Sequence, residues 1–129
     1  MAQSTSTATG FPTLNGHEYM SLITSRKSGQ PVPTPVWFAQ DGDHLYVMTM
    51  RSSGKVKRIS HTSQVSVAPC TRMGDPLGQA VAAVAHLALE HERATADRAL
   101  EYKYGEQKKM FDARLADATE RVYLIITPE

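Results

Sequence analysis

Three prolines at alternate positions, Pro31, Pro33 and Pro35, place the tightest constraint on how this chain can fold. In a strand, alternate residues point their backbone N–H groups toward the same edge, and proline has no N–H group. The extended run from Pro31 to Gln40 can therefore pair through one edge only, and we expect it at the margin of a sheet. Its open edge either faces solvent or forms one wall of a ligand site. In the second case the wall includes the side chains between the prolines, which are Val32, Thr34 and Val36.

Other segments have the composition of strands and are separated by turn residues. The Asp41-Gly42 pair predicts a hairpin between the proline-rich run and the segment that follows it. The further strands that we expect are Tyr19 to Ser25, Asp43 to Met50, Gln64 to Cys70 and Arg121 to Thr127. Short connections favour an antiparallel arrangement, because parallel strands need a crossover at each connection.

Helices are expected in three places. A short helix is predicted after Arg51, with Ser52 or Ser53 as its N-cap. The segment from His91 to Ala118 is helical in composition, and Gly105 divides it into two helices. Periodicity leaves the segment from Gln79 to Glu90 open, since its alanines suit a helix while its alternation suits a strand. The residues thus predict a small β-barrel of five or six strands with peripheral helices.

Length and composition limit the class of protein. At 129 residues, the chain fits one folded domain over residues 11–129, after a leader over residues 1–10 that we expect to be disordered. Cys70 is the only cysteine, which excludes an internal disulfide and any cysteine-rich metal site, and the five histidines lack metal-ligand spacing. The longest apolar stretch, Ala80 to Leu89, is too short to cross a membrane. We expect a soluble, cytoplasmic protein with no metal site.

Charge is distributed unevenly along the chain. Lys and Arg number 14 against 13 Asp and Glu, yet no acidic residue lies between Asp43 and Asp75. The cations of this interval are Arg51, Lys55, Lys57, Arg58 and Arg72. Most of them lie at the start of the predicted short helix, where free N–H groups and the helix dipole already favour an anion.

The basic segment therefore indicates either a phosphate site or a solvated basic face. The phosphate site would use backbone N–H groups, the Ser53 hydroxyl and the Lys55 ammonium. The segment is not a Walker P-loop, because Thr49 stands where that motif needs glycine and Val56 where it needs Ser or Thr. A nucleic-acid surface is disfavoured, since the basic stretch is short and no aromatic residues alternate with its lysines.

Several of these segments together resemble the pyridoxamine 5′-phosphate oxidase-like split β-barrel family, and in particular its predicted F420-dependent members. The similar segments are PVPTPVWF, RSSGKVKRI, QVSVAPCTRMGDPLG and KYGEQKKMF. The resemblance implies a six-stranded antiparallel split β-barrel in which Gln79 to Glu90 is a strand. It also implies a homodimer with cofactor clefts between its subunits. The residues themselves, with a short basic stretch and no spanning segment, lead us to expect no nucleic-acid partner and no membrane partner.

The resemblance further implies a cofactor, either FMN or the deazaflavin F420, and residues that hold it. Backbone atoms of Pro33, Thr34, Pro35 and Val36 would line the ring system, and Thr49 would lie near the ribityl chain. Ser53, Gly54 and Lys55 would bind the phosphate, helped by Lys57 and Arg58. The substrate-recognition residues of pyridoxamine phosphate oxidase itself are not evident in this chain, so oxidation of vitamin B6 is not implied.

Three functions remain open at this point. The first is a flavoprotein or F420-dependent oxidoreductase that transfers a hydride to or from a small organic substrate. The second is a carrier or sensor that binds the same cofactor without turnover, and the third is a nucleic-acid binder. The sequence identifies neither catalytic residues nor a substrate.

Overall fold

A computed structural model describes residues 10–114 and 120–129 of the chain. Within these ranges it has seven strands, three α-helices and one 3-10 turn, at Pro12–Leu14. The strands are β1 (Tyr19–Ser25), β2 (Pro31–Trp37), β3 (Ala39–Asp41), β4 (His44–Met50), β5 (Gln64–Cys70), β6 (Val81–Leu87) and β7 (Arg121–Pro128). The helices are α1 (Gly54–His61), α2 (Glu90–Tyr104) and α3 (Glu106–Arg114). The predicted leader lies outside the described residues except for Gly10, and so does the predicted helical segment beyond residue 114.

All strands belong to one antiparallel sheet in the order β2-β1-β5-β6-β7-β4-β3. The prediction from the prolines is confirmed, because β2 is a margin strand that pairs with β1. Since prolines cannot donate, the N–H groups of Val32, Thr34 and Val36 supply the ladder to β1. The open edge of β2 then carries the carbonyl groups of the three prolines, none of which has an N–H to donate.

The proline-rich run was predicted as one strand, and this prediction was wrong. The chain breaks at Phe38, whose side chain turns into the core with 1% of its surface exposed, and β2 and β3 lie at opposite margins of the sheet. This break raises the strand count from the predicted six to seven. One residue can join the two margins only because the sheet curls into a half-barrel, in which β2 approaches β4. We call the gap between β2 and β4 the seam.

Most other predicted elements are confirmed. Gly42, at φ +62°, makes the hairpin turn between β3 and β4, and Ser53 rather than Ser52 caps α1 by accepting from the Val56 N–H at 3.4 Å. The ambiguous segment after Gln79 forms β6, as the resemblance implied. Gly105, at φ +57°, separates α2 from α3. No helix of the described residues is long and apolar enough to cross a membrane.

Two apolar clusters lie on the two faces of the curled sheet. The inner cluster fills the barrel with side chains such as Phe11, Leu22, Val47 and Leu124. The outer cluster lies between the sheet and α2, and it includes Tyr46, Leu100, Tyr104, Tyr123 and Ile125. Alternation along β7 divides its residues between the two clusters, as expected for a strand that is buried on both faces.

Phe38 interrupts the strands, so its backbone groups need partners from outside the sheet. The Tyr104 hydroxyl accepts a hydrogen bond from the Phe38 N–H at 2.9 Å, and lies 2.9 Å from the Phe38 carbonyl oxygen and 2.7 Å from that of Glu18. The Lys103 ammonium donates to the Phe38 carbonyl at 2.7 Å and lies 3.5 Å from the centroid of the Phe38 ring. The end of α2 thereby replaces the missing ladder partners.

We expect Tyr104→Phe to destabilise the fold by about 1–3 kcal/mol, because it leaves the buried Phe38 N–H without an acceptor. Urea unfolding followed by circular dichroism measures this loss. The matched control is Tyr102→Phe, since Tyr102 is 94% exposed and should be replaceable without effect. Equal unfolding midpoints for the two variants would contradict the role of Tyr104.

Candidate functional site

A cleft of about 680 Å³ opens at the seam. Its volume falls in the range of small-molecule sites, which is roughly 300–1,000 Å³. The strands contribute Tyr19 of β1, Pro35, Val36 and Trp37 of β2, and Met48, Thr49 and Met50 of β4. The remaining lining residues are Lys55, Arg72, Leu100, Gln107, Lys108 and Met110. The cleft therefore collects residues from both sides of the seam and from all three helices.

Four of the site residues predicted from the sequence line this cleft: Pro35, Val36, Thr49 and Lys55. Pro33 and Thr34 lie farther along β2, on the strand that forms one side of the seam. Ser53 and Gly54 directly precede Lys55 at the start of α1. Lys57 is exposed, and neither it nor Arg58 is part of the lining. The assignment of these residues to cofactor binding stays a prediction.

The start of α1 brings a positive charge to one end of the cleft. Ser53 caps the helix, and the Thr49 hydroxyl lies 3.4 Å from the Ser53 hydroxyl, which ties the cap to β4. The first N–H groups of the helix have no partner within it. Burial lowers the pKa of Lys55, and the positive charge of Arg58 lowers it further. Both effects disfavour the ammonium, so an anion bound here would relieve them.

Arg58 reaches from α1 to β1. Its Nε donates to the hydroxyl of the buried Thr24 at 2.6 Å. Its guanidinium also crosses Gly54, where a Cβ atom would lie 2.7 Å from Nη1 of Arg58. Gly54 therefore lets the arginine pack against the helix start, and Arg58 both anchors α1 and adds positive charge there.

A flat apolar wall lies elsewhere in the cleft. The rings of Trp37 and Tyr104 stack with their centroids 4.3 Å apart and their planes 10° from parallel. Trp37 packs against the outer cluster together with Met48, and both residues line the cleft. An aromatic wall and a desolvated cation in one cleft suit a ligand with a flat ring system and an anionic group.

Sequence reasoning missed the wall that α3 contributes, and above all Lys108. Its ammonium donates to Asp97 Oδ1 at 2.7 Å and to Asp112 Oδ2 at 2.6 Å. Arg121 Nη1 lies 3.2 Å from Asp112 Oδ1, and the Tyr123 hydroxyl donates to Asp97 Oδ1 at 2.5 Å. We call these five residues the charge cluster. The i, i+4 spacing of Lys108 and Asp112 was the available signal, but that spacing is equally typical of exposed helix pairs.

A second, more open cleft of about 460 Å³ adjoins the first and shares Tyr19, Arg72 and Gln107 with it. Cys70 contributes to its lining but is 3% exposed, and burial raises the pKa of its thiol. Cys70 is therefore a small buried apolar residue. Arg72, on the exposed turn between β5 and β6, is the charged residue common to both clefts.

We expect Asp97→Asn to destabilise the protein by about 1–3 kcal/mol at neutral pH, because it removes a charged acceptor from the buried ammonium of Lys108. Burial acts to raise the pKa of Asp97, but hydrogen bonds from Lys108 and Tyr123 outweigh it and hold the pKa below its ordinary value. The stabilisation is therefore complete above the ordinary pKa of an aspartate and is lost as pH falls through the lowered folded-state pKa. Urea unfolding at pH 7 and in acid tests this, since the gap between the variant and the parent should narrow as pH falls.

A curled antiparallel sheet with a ligand-sized cleft at its seam defines a split β-barrel protein. The chain belongs to the pyridoxamine 5′-phosphate oxidase family, whose model matches residues 11–129. No curated protein matches the chain significantly in sequence.

Solved structures share the fold at low sequence identity. A FAD-binding protein from Mesorhizobium loti is 19% identical, with a TM-score of 0.67 over 93% of this chain and 87% of that one. An F420 reductase is 19% identical, with a TM-score of 0.62 over 92% of both chains. HutZ, the heme storage protein from Vibrio cholerae, is 15% identical, with a TM-score of 0.65 over 88% of this chain and 83% of that one. At these identities the likeness concerns the fold alone.

Proposed function

We propose that the protein is an oxidoreductase that uses F420 or FMN to transfer a hydride to or from a small organic substrate. The observation that carries this proposal is the lining of the seam cleft of about 680 Å³, which includes both Trp37, whose ring stacks on Tyr104, and the half-buried Lys55. FMN and F420 share a flat ring system, a ribityl chain and a first phosphate. Both cofactors therefore fit the same donor set, which leaves the choice between them to experiment.

The proposed roles follow the order of residues along the seam. Carbonyl groups on the open edge of β2, at Pro33 and Pro35, accept hydrogen bonds from the ring system, with Thr34 and Val36 beside them. Thr49 lies near the ribityl chain. The N–H groups at the start of α1, that of Gly54 included, bind the phosphate together with the side chains of Ser53 and Lys55.

Further cations flank the phosphate end of the site. Lys57 and Arg58 add positive charge around the start of α1, and the anionic tail of F420 would extend toward these residues or Arg72. When bound, either cofactor supplies the hydride chemistry, while the protein orients its ring and excludes water. Carboxylates are scarce in the barrel, which is compatible with a protein that leaves the hydride chemistry to its cofactor.

We also propose that the protein is a homodimer whose second subunit completes each cleft. Exposed apolar side chains line both clefts, Met110 in the seam cleft and Leu77 in the second one, and Met73 is exposed next to the lining residue Arg72. Exposed apolar residues grouped around a site are typical of interaction surfaces. Sedimentation velocity at micromolar concentration should give twice the mass of the chain, and a purely monomeric species would refute this part of the proposal.

The alternative is a cofactor carrier or sensor without turnover, which the same cleft would serve. A panel of small acceptors tested with reduced F420 and reduced FMN separates the two functions. Multiple turnovers with any acceptor favour the enzyme, whereas tight binding without turnover across the panel favours the carrier.

We expect Lys55→Ala to weaken binding of FMN or F420 by roughly 10- to 100-fold, as expected for the loss of one charge-assisted hydrogen bond to phosphate. Fluorescence titration with each cofactor in parallel measures the dissociation constants. Lys27→Ala is the control, because Lys27 is an exposed lysine on the turn between β1 and β2 and lies outside the lining. We expect it to weaken binding less than threefold.

Two outcomes would contradict the proposal. If the parent protein binds neither cofactor at micromolar concentration, the proposed function is wrong. If it binds one of them and the two lysine variants behave alike, the phosphate has been placed at the wrong residues.

A further inference from the structure

Lys108 brings a buried positive charge to the wall of the seam cleft. The residue is 2% exposed, and it lines the cleft together with Gln107 and Met110 of the same helix. Lysine is rarely buried to this extent. Moving its charge out of water costs on the order of several kcal/mol, unless charged or polar partners compensate for the lost hydration. Both its partners and its position therefore need an explanation.

The partners fix where the charge lies. Asp97 belongs to α2, Asp112 to α3, and Arg121 and Tyr123 to β7, so the charge cluster holds the Lys108 ammonium relative to three elements at once. Two carboxylates balance two cations, so the cluster is formally neutral. Burial acts to lower the pKa of Lys108, but the two aspartates outweigh it and raise the pKa. The ammonium is therefore a fixed charge at neutral pH and does not act as an acid.

Stability alone does not account for this arrangement. Replacing a buried ion cluster with well-packed apolar side chains is often neutral or stabilising. The neighbouring lining residues Met48, Leu100 and Met110 are apolar, so an apolar side chain at position 108 would fit the chemistry of the wall. A charge kept at such a position, on the wall of a ligand-sized cleft, is typical of a functional site.

We infer that Lys108 contacts the ring system of the bound FMN or F420, donating its third N–H to the ring and stabilising the anionic form of the ring with its fixed charge. Asp97 and Asp112 use the other two N–H groups of the ammonium and orient it. This inference rests on the proposed function, because it assumes that the ring lies in the seam cleft. A positive charge beside a flavin-type ring is one of the ways in which proteins tune such cofactors.

Other charged and titratable groups also lie around the proposed position of the ring and would influence its pKa. Lys55, Arg72 and Tyr19 line the same cleft, and the charge cluster lies behind Lys108. Lys55 and Arg72 are assigned to the phosphate and the tail, so they remain unchanged in every variant below. Changes within the charge cluster then report on the charge nearest to the ring.

The test is the pKa of the bound chromophore, read from its absorbance as a function of pH with the site saturated. With F420 the phenolic hydroxyl of the ring is titrated, and with FMN the imide N–H. We expect Lys108→Gln to raise this pKa by about one unit or more, since it removes a nearby opposite charge. We expect Asp97→Asn to lower the chromophore pKa, because one of the two carboxylates that offset the positive charge of Lys108 is then removed. Lys108→Arg should restore the parent value in large part.

The matched control is Lys109→Gln, at the next residue of α3. Lys109 is exposed and makes only a 3.6 Å ion pair with Glu106, so the chromophore should titrate as in the parent protein. Shifts of opposite sign for Lys108→Gln and Asp97→Asn are the decisive result, because a purely structural role would move the chromophore pKa in neither direction. If Lys108→Gln fails to fold, a lowered chromophore pKa in Asp97→Asn with a near-parent value in Lys108→Arg supports the role of Lys108, and an unchanged pKa in Asp97→Asn refutes it.

The outcomes are distinguishable. A parent protein that binds no chromophore refutes the proposed function. A bound chromophore whose pKa is the same in the parent and in both cluster variants refutes the role of Lys108 and leaves the proposed function standing. Each titration is made at a temperature where the variant is folded, as checked by circular dichroism.

Discussion

The half-barrel depends on one polar junction, where the last residues of α2 satisfy the backbone of Phe38. The chain passes from one margin of the sheet to the other through this residue, so its N–H and carbonyl groups lie outside any ladder. A buried backbone group without a partner would cost about 1–3 kcal/mol. Tyr104 and Lys103 remove that cost, and they also fix the angle at which α2 crosses the sheet. The curl of the sheet and the position of α2 therefore depend on the same contacts.

The cleft follows from the same junction. Because β2 and β4 approach each other without pairing, a gap remains between them, and the end of α2 lies beside it. Tyr104 binds Phe38 through its hydroxyl and stacks on Trp37 through its ring, so a single side chain both closes the barrel and supports the aromatic wall. The α3 helix begins at Glu106, directly after Gly105, and the charge cluster fixes it as the opposite wall. The site is thus built by the elements that hold the fold together.

Local chemistry explains which features the sequence could predict. Prolines at alternate positions, the Asp41-Gly42 turn and the Ser53 cap each act within a few residues, and all three were recognised. The break at Phe38 was not, because an uninterrupted apolar run gives no sign that its two halves join opposite margins. The α3 wall was missed for a related reason. Lys108 becomes a buried cleft residue only through Asp97 and Tyr123, which are distant in sequence, and no local pattern separates it from an exposed helix lysine such as Lys109.

The proline edge of β2 also has a consequence for self-association. A margin strand normally offers alternating donors and acceptors, and that pattern lets a strand from another molecule extend the sheet. Here the three prolines place carbonyl groups on the open edge but no N–H groups, so at each proline a carbonyl of the incoming strand would find no donor. The sheet cannot grow at this margin, even though β2 is fully extended and flanked by apolar side chains. The prolines thus protect the protein against edge-to-edge aggregation, and they keep the same carbonyl groups free for a small ligand.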